Sequence, residues 1–299
     1  MSVVAGNSGG GVCGDHLFVF VVVIFGITPD QSQTVTSLRA SLQGVPAERY
    51  RVLVVDNSLD KLACEHVLAP NVWHVVAGRN GGLAKAYNIA LQKARVWGAD
   101  VLVTLDQDSV VTTEYLRQLL CHAENIAGNV VAMCPGIRSA GRIVSPFGFS
   151  VFGWPRYGDA APPLYAINSF SAYSVDYLCS VDGFDEYYWL DALDFSVFAR
   201  IAEQGLQVHR LDVVVDHDLS LLSGKVSLAR MINMAFFEAC FLMEYAKASH
   251  LIGGWIRLVA RALRVRRYGL GLGAGVAMLS AAGRGAWIGV KRRGHTSNQ

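Results

Sequence analysis

The stretch Val101-Leu102-Val103-Thr104-Leu105-Asp106-Gln107-Asp108-Ser109 sets five strand-forming residues before two carboxylates one residue apart. A short apolar run ending in polar turn residues reads as a strand buried on both faces, the kind found in parallel sheets. Open α/β sheets bind ligands just outside the C-terminal ends of their strands. Asp106 and Asp108 therefore stand where a ligand would be met. Paired carboxylates there suit a hard divalent cation, which takes oxygen ligands and shares them with phosphate groups. Helix capping or a solvated loop is the competing account of Asp108. The Gly and Glu of a calcium-binding EF-hand loop are missing.

Working outward, the same sequence of strand, polar turn and helix repeats. Leu17–Phe25 reads as a strand, followed by Thr28-Pro29-Asp30 and a helix with Val35, Leu38 and Leu42 on one face. Arg51–Val55 is a second strand, closed by Asp56-Asn57-Ser58. Val72–Ala77 is a third, leading to Asn80-Gly81-Gly82 and a helix from about Leu83 to Val96. Thr113 is placed to cap the helix after the fourth strand, whose apolar face is Leu116, Leu119, Leu120 and Ala123. This alternation predicts an α/β fold, a mixed but mainly parallel sheet flanked by helices. Each polar site alone is ordinary turn chemistry; four in register at one edge make a site.

Beyond residue 140 the pattern loosens. Gly148–Pro163 is rich in Gly, Pro and aromatic residues and suited to shaping a pocket. Strands are expected at 143–151, 166–175 and 207–215, with helices over 192–204 and 227–248. The division expected is a flexible 1–16, a catalytic domain over 17–222 with halves at about 17–135 and 136–222, and a helical, basic region over 223–299.

Hydrophobic residues make up 52% of the 299 and charged ones 17%, which excludes a disordered chain. The net charge of +2 hides an asymmetry. Residues 251–299 hold nine Lys or Arg and no acid, so the first 250 carry 17 basic against 24 acidic groups, a net of −7. An acidic body with a basic, apolar tail points to anionic lipid or phosphate. The six cysteines form no C-x-x-C pair and read as core thiols of a reducing compartment. Residues 17–27 are too short to span a bilayer and lack a preceding positive region, so they read as a buried strand. Gly9, Gly11 and Gly14 match a dinucleotide fingerprint but precede the first strand, where that motif has no meaning.

Taken in order, Val54-Val55-Asp56-Asn57-Ser58, Asn80-Gly81-Gly82-Leu83-Ala84-Lys85-Ala86-Tyr87-Asn88, Leu105-Asp106-Gln107-Asp108-Ser109, Gly183-Phe184-Asp185-Glu186, Leu190-Asp191-Ala192-Leu193-Asp194 and Arg200 resemble the inverting family 2 glycosyltransferases of GT-A fold, in particular their rhamnosyltransferase-like branch. The resemblance runs over roughly 17–220, with a weaker echo in 284–294. It implies a GT-A fold with a C-terminal helical appendage, and a donor path of Thr28, Asp56, Asn80, Gly82, Lys85, Asp106 and Gln107. It also implies Mg²⁺ or Mn²⁺ held by Asp106, Asp108 and His217, and a catalytic base at Asp194 with Asp191 beside it. The expected reaction moves a sugar, with rhamnose from dTDP-rhamnose the example, from a dTDP- or UDP-linked donor to a hydroxyl of a cell-surface glycan or a lipid-linked precursor.

Asp194 opens an amphipathic helix, where the macrodipole favours the ionised form and readies a base at neutral pH. The rival reading makes Asp191 the N-cap and Asp194 an acidic third residue. Two departures from the family pattern stand out: Gly26-Ile27 replaces a Tyr-Asn pair, and Ser169-Phe170 replaces a Ser-Gly pair. A nucleotidyltransferase, or a silent sugar-nucleotide-binding scaffold of the same fold, is the alternative. In the tail, arginines interleave with Trp255, Ile256, Leu258, Val259, Leu263 and Val265. This makes 255–293 a candidate for peripheral contact with the inner face of the cytoplasmic membrane, or for a helix packed on the domain. No nucleic-acid module accompanies the charge.

Overall fold

The computed structural model describes residues 15–58, 63–78, 80–158, 162–217, 227–265 and 270–296. Residues 1–14 of the flexible N-terminus expected at 1–16, with the glycine fingerprint, lie outside them.

Strand β1 (Phe18–Ile24) is buried along its whole length because its two faces meet two different cores. Val19, Val21 and Val23 point into one cluster, and Phe18, Phe20, Val22 and Ile24 into the other, the period of two expected of a strand. Parallel to it run β2 (Tyr50–Asp56) and β5 (Val101–Asp106), while β4 (Val72–Val76) runs parallel to β2. Between β2 and β4 in sequence comes β3 (Cys64–Ala69), an antiparallel edge strand that the sequence reading missed. Also unforeseen is β6 (Val130–Ser139). It carries the hairpin partner β7 (Arg142–Ser145). The expected strand at 143–151 divides into β7 and β8 (Phe147–Phe149), the latter paired with β9 (Pro155–Tyr157) in a small second sheet. The strand expected at 166–175 shortens to β10 (Ser171–Ser174), antiparallel to both β5 and β6, and β11 (Gln207–Asp216) runs parallel to β6. The order is β11-β6-β10-β5-β1-β2-β4-β3. The C-terminal ends of β1, β2, β4, β5, β6 and β11 thus share one edge.

Helices α1 (Gln33–Ser41) and α3 (Thr113–Cys121) cover one face. The cap of α3 is Thr112, whose hydroxyl accepts the Tyr115 amide, and not Thr113. The opposite face is covered by α2 (Gly82–Val96), α4 (Val175–Ser180) and α5 (Leu193–Glu203), with α6 (Leu228–Tyr245) beyond.

Helices α6, α7 (Ala248–Leu263) and α8 (Leu272–Thr296) share a further apolar core. Its packing rests on absent side chains. A Cβ at Gly285 would stand 2.0 Å from the Phe236 carbonyl oxygen, and one at Gly289 would stand 2.2 Å from that of Cys240. The two helix backbones meet there directly. The tail is thus a set of helices packed on the body. Among the described residues no helix is long and apolar enough to cross a membrane. Of the described cysteines only Cys134 and Cys240 are buried, whereas Cys64 and Cys179 are exposed, against the expectation of core thiols.

Candidate active site

Asp106 ends β5 and Asp108 follows in the turn, while β11 delivers His217 from the far side of the sheet. One ligand atom from each of these three residues lies within 4.8 Å of the others, with His217 Nε2 3.5 Å from Asp106 Oδ2. β10 makes this reach possible. It is short and reversed, so Ser169 and Phe170 fill the gap between β5 and β6 at the ligand edge. Ser169 Oγ takes the Asp106 amide at 3.3 Å and meets Ser109 Oγ at 3.0 Å, and Ser109 Oγ lies 3.4 Å from His217 Nδ1. Asp108 is exposed, Asp106 half-buried and His217 buried, a graded cup open to solvent on one side.

Phe170 explains one departure noted in the sequence. Its φ is +68°, a left-handed conformation that favours glycine. The ring is fully buried and edge-on to Tyr115 at 5.1 Å, with the His217 ring 6.1 Å away. Here buried aromatic contact offsets the backbone strain.

The second wall of the site is the loop 182–192, held from several directions. Asn88 of α2 donates to the Phe184 carbonyl at 2.9 Å and accepts its amide at 2.8 Å. Arg200 of α5 donates to the carbonyls of Val181 and Gly183. Tyr188 donates to Glu244 of α6 at 2.7 Å. From α8, Arg292 bonds Glu244 at 2.7 Å, reaches Asp185, and lies over the Tyr187 ring. The Tyr187 and Tyr188 rings are thus engaged largely with protein. Gly82 completes the clamp at φ +82°, where a Cβ would stand 2.2 Å from the Trp189 carbonyl oxygen.

Asp194 sits in the first turn of α5, its Oδ1 accepting the amide of Phe195 at 3.0 Å. Burial pushes its carboxyl up from 3.8 to about 7, with the Phe195 amide opposing and the charges of Asp191 and Asp106 adding to the rise. The residue keeps a partly accessible edge, yet protein surrounds the carboxyl itself. Desolvation therefore outweighs the macrodipole, the reverse of the expectation above. The influence of Asp106 also shows that base candidate and metal candidates share one neighbourhood. Asp191 is not the N-cap. That position belongs to Ala192, at φ +61°, and Asp191 Oδ1 instead pairs with Arg230 of α6 at 2.9 Å. Burial raises the Asp191 carboxyl and Arg230 opposes it.

The remaining candidates divide. Asn80 accepts the Gly82 amide, and Asn57 accepts the Gly81 amide and donates to the Gly82 carbonyl, so this turn is braced against the end of β2. Lys85 is half-buried on the first turn of α2, and Thr28 is exposed with its amide tied to Gln31. Asp56 is fully buried, accepting the Ser58 amide with His74 3.7 Å away. The Gln107 side chain accepts the Phe25 amide at 2.8 Å and stitches β5 to β1. Tyr87 of α2 is not among the site residues expected from the sequence. It is fully buried, its hydroxyl has no partner among the described residues, and it feels the charges of Asp106 and Asp194. Its place in the Asn80–Asn88 run was the available signal. A separate cavity of about 360 Å³, lined by Phe149, Pro163, Tyr165, Phe241, Tyr245 and Arg257 among others, holds none of the predicted site residues. The loop 148–163 therefore shapes a pocket, but away from these carboxylates.

Comparison with known proteins follows the same lines. Residues 31–154, about two-fifths of the chain, match the family model Glycosyl transferase family 2. The dTDP-rhamnosyl transferase RfbF of Shigella flexneri is 29% identical over 112 residues, 36% of this chain and 38% of that protein. The chain thus matches well under half the length of this relative. Among solved structures, TarS 1-349 of S. aureus with UDP-GlcNAc aligns at TM-score 0.53 and 14% identity, over 95% of this chain and 92% of that one. The mannosyltransferase PcManGT of Pyrobaculum calidifontis, with GDP-Man and Mn²⁺, aligns at TM-score 0.53 and 15% identity, over 93% and 84%. At such identity these likenesses speak for the fold, which is GT-A.

Proposed function

We propose that this family 2 domain transfers a sugar, with inversion, from a nucleoside-diphosphate donor to a hydroxyl acceptor, using a divalent cation. One observation carries the reading: Asp106, Asp108 and His217 converge at the ligand edge of the sheet while Asp194 sits near enough to feel Asp106. Two carboxylates and an imidazole form a donor set that suits Mn²⁺ better than Mg²⁺, which prefers oxygen alone. When bound, such an ion supplies Lewis-acid stabilisation of charge on a departing diphosphate.

The chain's own residues do the rest. Asp194 accepts the proton of the acceptor hydroxyl as that oxygen bonds to the anomeric carbon and the bond from that carbon to the diphosphate oxygen breaks. A titration near 7 gives a carboxylate basic enough to take that proton and still largely ionised just above neutrality. Asp191, balanced by Arg230, adds negative charge that keeps the carboxyl of Asp194 basic. The Asn80-Gly81-Gly82 turn, braced by Asn57, shapes the donor path, and Lys85 adds positive charge beside it. Asp56, fully buried at the end of β2, shapes the nucleoside end.

The relative from Shigella favours a dTDP-linked deoxysugar such as rhamnose, and the acceptor proposed with it is a cell-surface glycan or its lipid-linked precursor. Such an acceptor would place the enzyme at the inner face of the cytoplasmic membrane. Calorimetric titration with dTDP, UDP, GDP and CDP, each with and without Mn²⁺, tests the reading. Tight binding of one diphosphate only with Mn²⁺, lost in Asp108→Ala, is the expected result. Metal-independent binding that Asp108→Ala leaves unchanged would remove the basis of the assignment.

A further inference from the structure

We infer that the outward faces of α7 and α8, joined by the tip of the β8–β9 hairpin, form a docking surface for an anionic lipid bilayer. On α7 the exposed large apolar residues are Ile252, Ile256, Val259 and Leu263. Their spacings of four, three and four keep them on one stripe of a helix. On α8 the exposed apolar residues are Val276, Leu279, Trp287 and Val290, again on one stripe.

α8 is inside-out for a helix that meets only water. Its inner face carries Gly275, Ala281, Ala282, Gly285 and Gly289, small residues that let it approach its neighbours. Its larger apolar side chains look outward, with Val276 69% and Trp287 59% exposed. Packing against α6 and α7 therefore explains the glycines and alanines and leaves the outer stripe unexplained. The hairpin extends the patch. A Cβ at Gly253 of α7 would stand 2.0 Å from the Phe152 carbonyl oxygen, so the tip rests on that helix, and the side chains of Val151 and Phe152 are both exposed. Single exposed apolar residues are normal on a protein surface, whereas three adjoining segments of them mark an interaction site.

Charge selects the occupant. Arg264, Arg284 and Lys291 are exposed beside the stripes, the Lys291 ammonium 3.5 Å from the Trp287 ring centre. Residues 251–299 contain no Asp or Glu. Arg261, the cation of α7 that has an acidic partner, turns inward to Glu238 at 2.8 Å. A second copy meeting this face about a twofold axis would set cation against cation. An anionic bilayer takes the apolar residues into its headgroup boundary and holds the cations at its surface, with an aromatic ring at the interface between them. The surface is separate from the transfer chemistry, and binding to it is measured without donor or acceptor.

The test is co-sedimentation of the whole protein with vesicles of phosphatidylcholine, alone or mixed with phosphatidylglycerol, over a range of NaCl. Binding only to the anionic vesicles, weakening as salt rises, is expected, together with a blue shift in tryptophan emission that Trp287→Phe reduces. Arg284→Gln with Lys291→Gln should lower partitioning about 25-fold, at roughly fivefold per surface charge. Ile256→Ser with Leu263→Ser should lower it with the melting temperature unchanged, because both side chains are exposed. Two results would overturn the inference: equal binding by wild type and all variants, or no binding to anionic vesicles at low salt. A dimer by light scattering that the Ile256→Ser, Leu263→Ser variant dissolves would also overturn it, assigning the face to a second copy.

Discussion

Asp194→Asn separates catalysis from stability, and the direction of each effect follows from burial of the carboxyl. The wild-type group titrates at about 7 in the folded protein against 3.8 for an ordinary aspartate. Between those values the folded state holds a proton that the unfolded state has released, so stability falls as pH rises from about 4 to 7 and levels off above. At 1.36 kcal/mol per pH unit the full cost of ionising the group is about 4 kcal/mol. The partly accessible edge of the residue trims this to about 2–4 kcal/mol. Asparagine carries no such cost. The variant should therefore melt about 4–8 °C above wild type at pH 8, taking about 2 °C per kcal/mol for a chain of this size, and within about 1–2 °C of it at pH 4. Scanning calorimetry in EDTA at both pH values makes the comparison. Transfer by the wild type should rise with pH through about 7, and the variant should bind donor without transferring. A gap between the two melting temperatures that is the same at both pH values would show that the Asp194 carboxyl is not desolvated, and the basis for its role as a tuned base would go with it.

Gly82→Ala must move the Trp189 carbonyl and hold a left-handed alanine; a loss of about 2–4 kcal/mol in urea unfolding, with transfer falling further than diphosphate binding, is expected. Phe170→Gly relieves backbone strain of about 1–2 kcal/mol but removes a fully buried ring worth about 3–5 kcal/mol. Its unfolding midpoint should drop, and Mn²⁺ affinity should weaken as His217 loses its aromatic neighbour. Arg230→Ala leaves Asp191 without its cation. Because the arginine is about a third exposed, the cost by urea unfolding should be about 1–3 kcal/mol, below the range for a fully buried pair.

The ligand edge was legible because its residues are local. Asp56-Asn57-Ser58, Asn80-Gly81-Gly82 and Asp106-Gln107-Asp108 each follow an apolar strand directly, and the structure places all three at one edge. Strand β6 was not legible because Pro135 and Gly136 interrupt its apolar run, two residues that ordinarily end a strand. Strand β3 failed for another reason. Almost all its side chains are exposed, so no burial pattern fixes its register. The rival reading of Asp191 as a helix cap fails for a long-range reason. Its partner Arg230 lies on α6, and only the left-handed Ala192 keeps it from the capping position. His217 was reachable only through the family resemblance, since nothing near it in sequence announces a ligand.

The attachment of α8 sets a condition on when the loop 182–192 takes shape. Arg292 is a tie between the loop residue Asp185 and the buried Glu244, and it lies almost at the end of the last described helix. A chain emerging from the ribosome can pair the strands of its sheet and fold its donor half long before residue 292 is made, but Asp185 and the Tyr187-Tyr188 pair gain this support only once that arginine arrives. Ribosome-stalled chains ending before and after α8 should therefore differ in protease protection at 182–192 while matching over β1–β5, so that this loop is the last of these parts to set.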